Sequence, residues 1–230
     1  MHMATTKAGP HKASFEANTL AEYVGPLHRE IIRYLNDYHE AVEVVDREIM
    51  RELDDRVPPL LDEFERTEVQ NSPNPQWLRA KMRAGWHVAR GEYEQALAFE
   101  REGWEYAQAE VERPETREAV AKRRSISASN IADELRRLGR HEEALKWALL
   151  SVELWSSNPI NHLVLALAMY RSGYHDKAER IIEELLRVAD FGSSRDVLAN
   201  CMRYERELYE MDDLRAVRTL LANVDSADAV

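Results

Sequence analysis

The sequence contains little cysteine, proline or glycine, and it has no long apolar run. Cys201 is the one cysteine among 230 residues, which excludes an intrachain disulfide and makes a reducing cytosol the simplest setting. No segment approaches the roughly 18 apolar residues of a membrane-spanning helix. The polar stretch from Met1 to Lys12 lacks the apolar core of a signal peptide. We therefore expect a cytoplasmic protein without a membrane span.

Positive charge is also scarce. The 31 lysines and arginines face 42 aspartates and glutamates, which gives a formal net charge of −11. An excess of negative charge repels a phosphate backbone, so nucleic-acid binding is not expected. The hydrophobic fraction of 44% is nevertheless sufficient for a folded core. The composition favours a folded, acidic, mainly helical protein.

Catalytic and metal-binding motifs are missing as well. None of the eight histidines has a second histidine four residues away, or an acidic residue three or four residues before it. This removes the helical metal motifs, and no nucleophile elbow, P-loop or dinucleotide fingerprint occurs. We expect no catalytic residue, no cofactor and no metal. We expect His141 and His175 to pack in turns, and most tryptophans to lie in the core with Trp155 partly exposed.

What the chain does contain is a segment that recurs after 34 residues. Asn130–Leu145 and Val164–Glu179 share one register. The matched pairs are Ala132 and Ala166, Gly139 and Gly173, His141 and His175, and Ala144 and Ala178. A fixed period of this size predicts helical hairpins that stack on one another.

Each predicted turn has the same arrangement of small residues. A glycine is preceded seven residues earlier, and followed five residues later, by an alanine. The three sets are Ala84, Gly91 and Ala96; Ala132, Gly139 and Ala144; and Ala166, Gly173 and Ala178. Glycine ends a helix in the left-handed conformation, and alanine lets the two helices approach closely. The spacing therefore predicts three helical hairpins.

These residues resemble the tetratricopeptide repeat across roughly Gln76–Ala189. In that family the small–glycine–aromatic–alanine series fixes the turn, and a proline marks the repeat end, as Pro159 does here. The resemblance implies an all-α fold, a right-handed superhelix of antiparallel helix pairs. The first hairpin departs from the period, because 48 residues separate Gly91 from Gly139. Its second helix and the following helix must therefore be long.

Four segments follow from this organisation. We predict a disordered or tag-derived tail (1–25), N-terminal capping helices (26–70), the repeat array (71–190), and C-terminal capping helices or a degenerate repeat (191–230). Within the N-terminal cap, the apolar spacing predicts one long helix that starts at Pro26 and ends at Pro58-Pro59. A shorter helix follows over Leu60–Val69. The C-terminal helices are expected near 195–209 and 212–224.

The resemblance also implies a binding surface, because the first helix of each tetratricopeptide hairpin lines a concave groove that receives peptides. The same helix phase here gives the candidate groove residues Lys81, Met82, Asn130, Asp133, Arg137, Leu163, Val164, Leu167 and Arg171. The apolar face of the third unit favours an amphipathic helix or an extended apolar peptide. Equally, Leu163, Val164 and Leu167 are core residues if the C-terminal helices cover them.

Some members of the family hold a partner's C-terminal carboxylate in a clamp of lysine and asparagine side chains. Lys81 and Asn130 match two of the clamp positions. Gly85, Ile160 and Val164 stand where other polar clamp residues would be. The resemblance therefore implies an incomplete clamp.

We expect a non-enzymatic interaction module, an adaptor or scaffold, that binds a peptide or amphipathic helix of another protein in its concave groove. Two alternatives within binding proteins are a secretion or assembly chaperone and a peptide-sensing regulator. A third alternative is a structural protein that self-associates into a homo-oligomer.

Overall fold

The computed structural model describes residues 25–187, 208 and 210–219, and within these ranges the chain is helical and contains no strand. The helices are α1 (Pro26–Glu43), α2 (Arg47–Thr67), a 3-10 helix (Val69–Asn71), α3 (Pro75–Ala89), α4 (Tyr93–Ala109), α5 (Arg117–Arg137), α6 (His141–Leu154), α7 (Pro159–Arg171) and α8 (His175–Arg187). Residues 215–219 are also helical. The all-α class is confirmed. Cys201, most of the predicted tail and most of the predicted C-terminal helices lie outside the described residues.

The prediction of one long N-terminal helix is wrong, because the chain breaks between α1 and α2. Val45 adopts a φ of 57°, a left-handed conformation that a β-branched residue resists. The Asp46 side chain then caps α2 by accepting hydrogen bonds from the backbone N–H groups of Glu48 and Ile49, both at 3.1 Å. The apolar spacing continues across the break, so the spacing did not reveal it.

The prediction that Pro58-Pro59 ends a helix is also wrong, because both prolines lie inside α2. Proline removes a backbone donor and usually kinks or breaks a helix. Here the apolar face of α2 is continuous on both sides of the pair. Its buried residues are Leu53, Val57, Leu61 and Phe64. Tertiary packing along this face outweighs the local cost of the prolines.

The three predicted hairpins form as expected: α3 packs on α4, α5 on α6, and α7 on α8. The turn glycines have φ values of 72° at Gly91, 74° at Gly139 and 80° at Gly173. This left-handed conformation is the reason for glycine at these turns. All six alanines that flank the glycines are fully buried, and they are Ala84, Ala96, Ala132, Ala144, Ala166 and Ala178.

Helix α5 lies at the centre of the array and contacts α4, α6 and α7. A buried amide joins its neighbours. The Asn161 side chain donates to Ser125 Oγ at 2.8 Å, to the Ser151 carbonyl at 3.1 Å and to the Trp155 carbonyl at 3.0 Å. These hydrogen bonds satisfy buried polar groups of α5, α6 and α7 together, and they fix the register of the second hairpin against the third.

The aromatic residues follow the sequence prediction in part. Trp77 and Trp86 are buried, while Trp155 is partly exposed under the Lys122 ammonium. His175 corrects the expectation that it packs in its turn: its ring stacks on Tyr170 with centroids 4.3 Å apart but stays about half exposed. The position tolerates exposure because Gly173 and Ala178 already define the turn.

Candidate functional site

The structure divides the predicted groove residues into a buried set and a surface set. The buried residues are Lys81, Met82, Leu163, Val164 and Leu167. The residues that reach the surface are Asn130, Asp133, Arg137 and Arg171. The expectation that the apolar members line an open groove is therefore corrected, because these side chains belong to the core.

Two features of the fold bury the apolar members. Met82 lies in the cluster that α1 and α2 form with α3. Leu163 and Leu167 pack against Ile182 of α8 and against a segment near the C-terminus. The buried residues of that segment are Leu208, Met211, Leu214, Ala216 and Val217. Leu163 and Leu167 are thus covered as the alternative interpretation required, whereas Val164 packs in the cluster between the second and third hairpins.

Polar contacts reinforce this cover. The Tyr170 hydroxyl donates to Asp213 Oδ1 at 2.9 Å, and Arg171 forms an ion pair with Glu210. Both acidic residues are exposed, so each contact adds little stability by itself. They place Arg171 at the edge of the covered surface.

Two polar residues of the predicted groove, Lys81 and Asn130, lie close together around a buried glutamate. Lys81 Nζ of α3 lies 2.7 Å from Glu100 Oε1 of α4, and each side chain is only 2% exposed. Asn130 of α5 donates its side-chain amide to the same oxygen at 3.0 Å. Glu134 of α5 is buried beside them. We call Lys81, Glu100, Asn130 and Glu134 the buried polar centre; it joins three helices from two hairpins.

Glu100 and Glu134 are absent from the sequence-based candidates, although the repeat contains a signal for Glu100. Glu100 stands nine residues after its turn glycine, where the next two hairpins have the fully buried Ala148 and Ile182. A carboxylate at a position that is otherwise apolar requires a buried partner. The same argument applies to Glu134, which stands five residues before its turn glycine, where the other two hairpins have the buried Trp86 and Ala168.

The protonation states of the neighbouring acids diverge. Burial raises the pKa of Glu134 well above its ordinary value, and the negative charge of Asp133 adds to this effect. Burial also acts to raise the pKa of Asp133, but the Arg137 and Arg136 guanidiniums outweigh burial and hold that pKa below its usual range. The neighbouring guanidiniums therefore favour the charged form of Asp133, while burial favours the neutral form of Glu134 more than in an exposed glutamate.

Two carboxylate oxygens of the centre, Glu100 Oε2 and Glu134 Oε2, are buried without a hydrogen-bond partner among the described residues. Burying an ion pair costs desolvation energy that the mutual attraction only partly returns. A buried ion pair held at such a cost, beside Glu134 with its raised pKa, marks a candidate functional site.

The surface above the centre is polar and carries both signs of charge. Asn130, Asp133 and Arg137 follow one another along α5 at spacings of three and four residues, which places them on one side of the helix. Arg137 Nε donates to Asp133 Oδ2 at 2.9 Å, and its guanidinium lies 5.4 Å from the centre of the Tyr93 ring. We call Asn130, Asp133 and Arg137, together with the adjoining Tyr93 of α4, the α5 stripe.

The described part of the chain contains neither a membrane-spanning helix nor a cluster of metal ligands. No helix there is both long enough and apolar enough to cross a bilayer. In the same residues, no group of three or more histidine, cysteine, aspartate or glutamate side chains is arranged to hold a metal ion.

The architecture defines the class of protein: a helical repeat protein, built of hairpins that turn at left-handed glycines and close on buried alanines. Residues 162–184, most of the third hairpin, match the family model of the tetratricopeptide repeat. This match supports the assignment of the chain to the tetratricopeptide repeat family. No curated protein and no solved structure matches the chain. Members of this family are generally non-enzymatic, and the repeat suggests a protein–protein interaction module.

Proposed function

We propose that this chain is a cytoplasmic, non-enzymatic adaptor that binds a peptide or helix of a partner protein along the α5 stripe. One observation carries the proposal. Helix α5 is buried over most of its surface, and Asn130, Asp133 and Arg137 reach the surface along one side of it. In a stack of hairpins, such a side of a first helix lies at the surface where peptides dock.

The chemistry of the stripe indicates how a partner is held. The apolar candidates Met82, Leu163 and Leu167 are buried, so an extended apolar peptide has no groove at these residues. Asn130, Asp133 and Arg137 offer an amide, a carboxylate and a guanidinium instead. Hydrogen bonds and ion pairs then give the contact its specificity, while the Tyr93 ring adds apolar area.

A library of peptides displayed on phage, selected against the whole chain, tests this proposal. For the selected peptides, Arg137→Ala is expected to weaken binding at least about tenfold, because the lost group makes charge-assisted hydrogen bonds. The matched control is Lys146→Ala, which removes an exposed charge from α6. A peptide that loses affinity equally with both variants binds elsewhere, and a selection that yields no binder contradicts the proposal.

Self-association is a second candidate, and an exposed apolar corner favours it. Val44 is 74% exposed and Val45 is 65% exposed where α1 turns into α2, and Val42 and Ile49 flank them. Light scattering over a concentration series measures this directly. A mass that rises with concentration in the native chain, and stays monomeric in Val44→Asp, would favour self-association over the adaptor role.

A further inference from the structure

The two residues that match the carboxylate clamp already share one internal carboxylate. Lys81 Nζ and the Asn130 side-chain amide both contact Glu100 Oε1, at 2.7 and 3.0 Å. Lysine and asparagine offer the donors that a peptide's C-terminal carboxylate would need. In this chain those donors are directed at a side chain of the neighbouring helix.

We propose that Glu100 is a built-in ligand of Lys81 and Asn130, which closes this part of the surface to the anionic end of a partner peptide. The inference rests on the proposed function in one respect: it specifies a partner that is recognised through an internal segment, without a contribution from its C-terminal carboxylate.

The repeat shows that hairpin packing does not require this ion pair. The positions equivalent to Glu100 are Ala148 and Ile182, which are fully buried. The position equivalent to Lys81, ten residues before the turn glycine, is Leu163 in the third hairpin. The same backbone therefore accepts an apolar contact where the first hairpin has an ammonium and a carboxylate.

Burial and charge both oppose a second carboxylate. Lys81 and Glu100 are each 2% exposed, so an incoming anion would have to displace Glu100 from its donors. An anion beside the Glu100 carboxylate would also meet repulsion in a desolvated environment. Asn130 alone of the three contact residues is partly exposed, so it remains available at the surface.

Replacement of Glu100 by alanine tests the proposal without any peptide. Glu100→Ala leaves Lys81 and Asn130 without their ligand and opens the space of the lost side chain. Acetate and propionate should then bind there. At a concentration about ten times the dissociation constant, either anion is expected to raise the Tm of the variant by roughly 3–6 °C relative to chloride of equal ionic strength. The native chain and the control Glu105→Ala, exposed on the same helix, should show no such difference.

Each outcome of this titration decides the question. Stabilisation that is specific to carboxylates and disappears in Glu100→Ala/Lys81→Met supports the proposal, whereas equal effects of acetate and chloride overturn it. If Glu100→Ala is unfolded in chloride, it is refolded in propionate: recovery in propionate alone supports the proposal, and failure in both salts overturns it. Because no peptide is used, failure of the adaptor proposal leaves this result unaffected.

A second measurement uses any peptide selected as a binder. The native chain is expected to bind the free-carboxylate and C-terminally amidated forms within about twofold of each other, a difference of under ~0.5 kcal/mol. A tenfold preference for the free carboxylate that Lys81→Met removes would overturn the proposal.

Discussion

The first hairpin closes through a buried ion pair, which Asn130 of the second hairpin joins, whereas the third hairpin closes through an apolar contact. Lys81 and Glu100 occupy the repeat positions that hold Leu163 and Ile182 in the third hairpin. One pair is an ion pair at 2.7 Å, and the other lies in a cluster of buried apolar side chains. Because the turn glycines and flanking alanines fix the hairpin, these two positions are free to differ in chemistry.

The difference separates two kinds of contribution to stability. Apolar contacts stabilise in proportion to the area that they bury and tolerate small shifts of register. A buried ion pair contributes little net stability, but it penalises any arrangement that separates the partners. The ion pair therefore specifies the geometry of the first hairpin, and the apolar cluster stabilises the third. The following predictions test this contrast.

The largest effect is expected from breaking the charged contact on one side. Lys81→Met leaves the Glu100 carboxylate buried without its cation and should lower the free energy of unfolding by about 3–5 kcal/mol. Urea denaturation measures the loss. In Lys81→Met/Glu100→Leu the unpaired charge is gone, so most of the stability should return. A double variant that recovers no stability over the single variant would show that loss of the ion pair itself, and not the unpaired charge, causes the destabilisation.

Leu167→Ala, which removes part of the apolar cluster, is expected to lower the free energy of unfolding by about 2–5 kcal/mol. The side chain is fully buried, so its removal leaves a cavity. The control is Leu149→Ala on α6, where the side chain is 48% exposed and the change should stay within about 0.5 kcal/mol. Equal losses of stability in the two variants would argue that Leu167 of α7 is not buried in an apolar cluster.

Gly139→Ala is expected to lower the free energy of unfolding by roughly 1–2 kcal/mol, because alanine disfavours the φ of 74° at this turn. The added methyl group would meet nothing within 4 Å, so it causes no steric clash. The measured loss of stability therefore reports only the cost of placing alanine in the left-handed backbone conformation. Gly103→Ala is the matched control. There the new methyl group would lie 3.5 Å from Ala80 Cβ, an ordinary contact, and helix propensity predicts a neutral or stabilising change. Thermal unfolding of both variants checks this difference.

The last prediction concerns Glu134→Gln, which imitates the protonated acid and should differ least from the native chain at about pH 4. Because burial raises the pKa of Glu134 in the folded state, the folded chain keeps a proton that the unfolded chain has lost. From about pH 4.3 upward, the native stability should therefore fall by up to ~1.4 kcal/mol per pH unit relative to the variant. Burial lowers the pKa of His28, but this acid-sensitive contribution is common to both proteins and cancels.

Urea denaturation at several pH values provides this measurement, with the exposed Glu142→Gln as control. A pH profile of Glu134→Gln that runs parallel to the native profile would mean that Glu134 titrates normally.

The sequence predicted the hairpins well and the N-terminal cap poorly. Gly139 and Ala144 act through local conformation and close contact, and such requirements recur at a fixed period. The break at Val45 and the continuous helix through Pro58 depend on packing between α1, α2 and α3. Each feature occurs once, so a repeating sequence pattern could not predict it.

The candidate site was predictable only in part, for a related reason. The helix phase correctly brought Asn130, Asp133 and Arg137 to one side of α5, because that side is a property of a single helix. Whether Leu163 and Leu167 face a groove or the core depended on the segment that packs over them. The prediction that a peptide docks on this surface stays a prediction.

By itself, the sequence determined the repeat, because glycine at a left-handed turn and alanine at a close helix contact are requirements of the local backbone. Only the tertiary structure decided the environment of the charged and apolar side chains that the repeat leaves free. Glu100 is a ligand of Lys81 and Asn130 because three helices bring them within hydrogen-bond distance. Burial and electrostatic attraction depend on neighbours that are remote in sequence. The distances in space between such residues are set by the packing of the helices, and the sequence pattern does not reveal them.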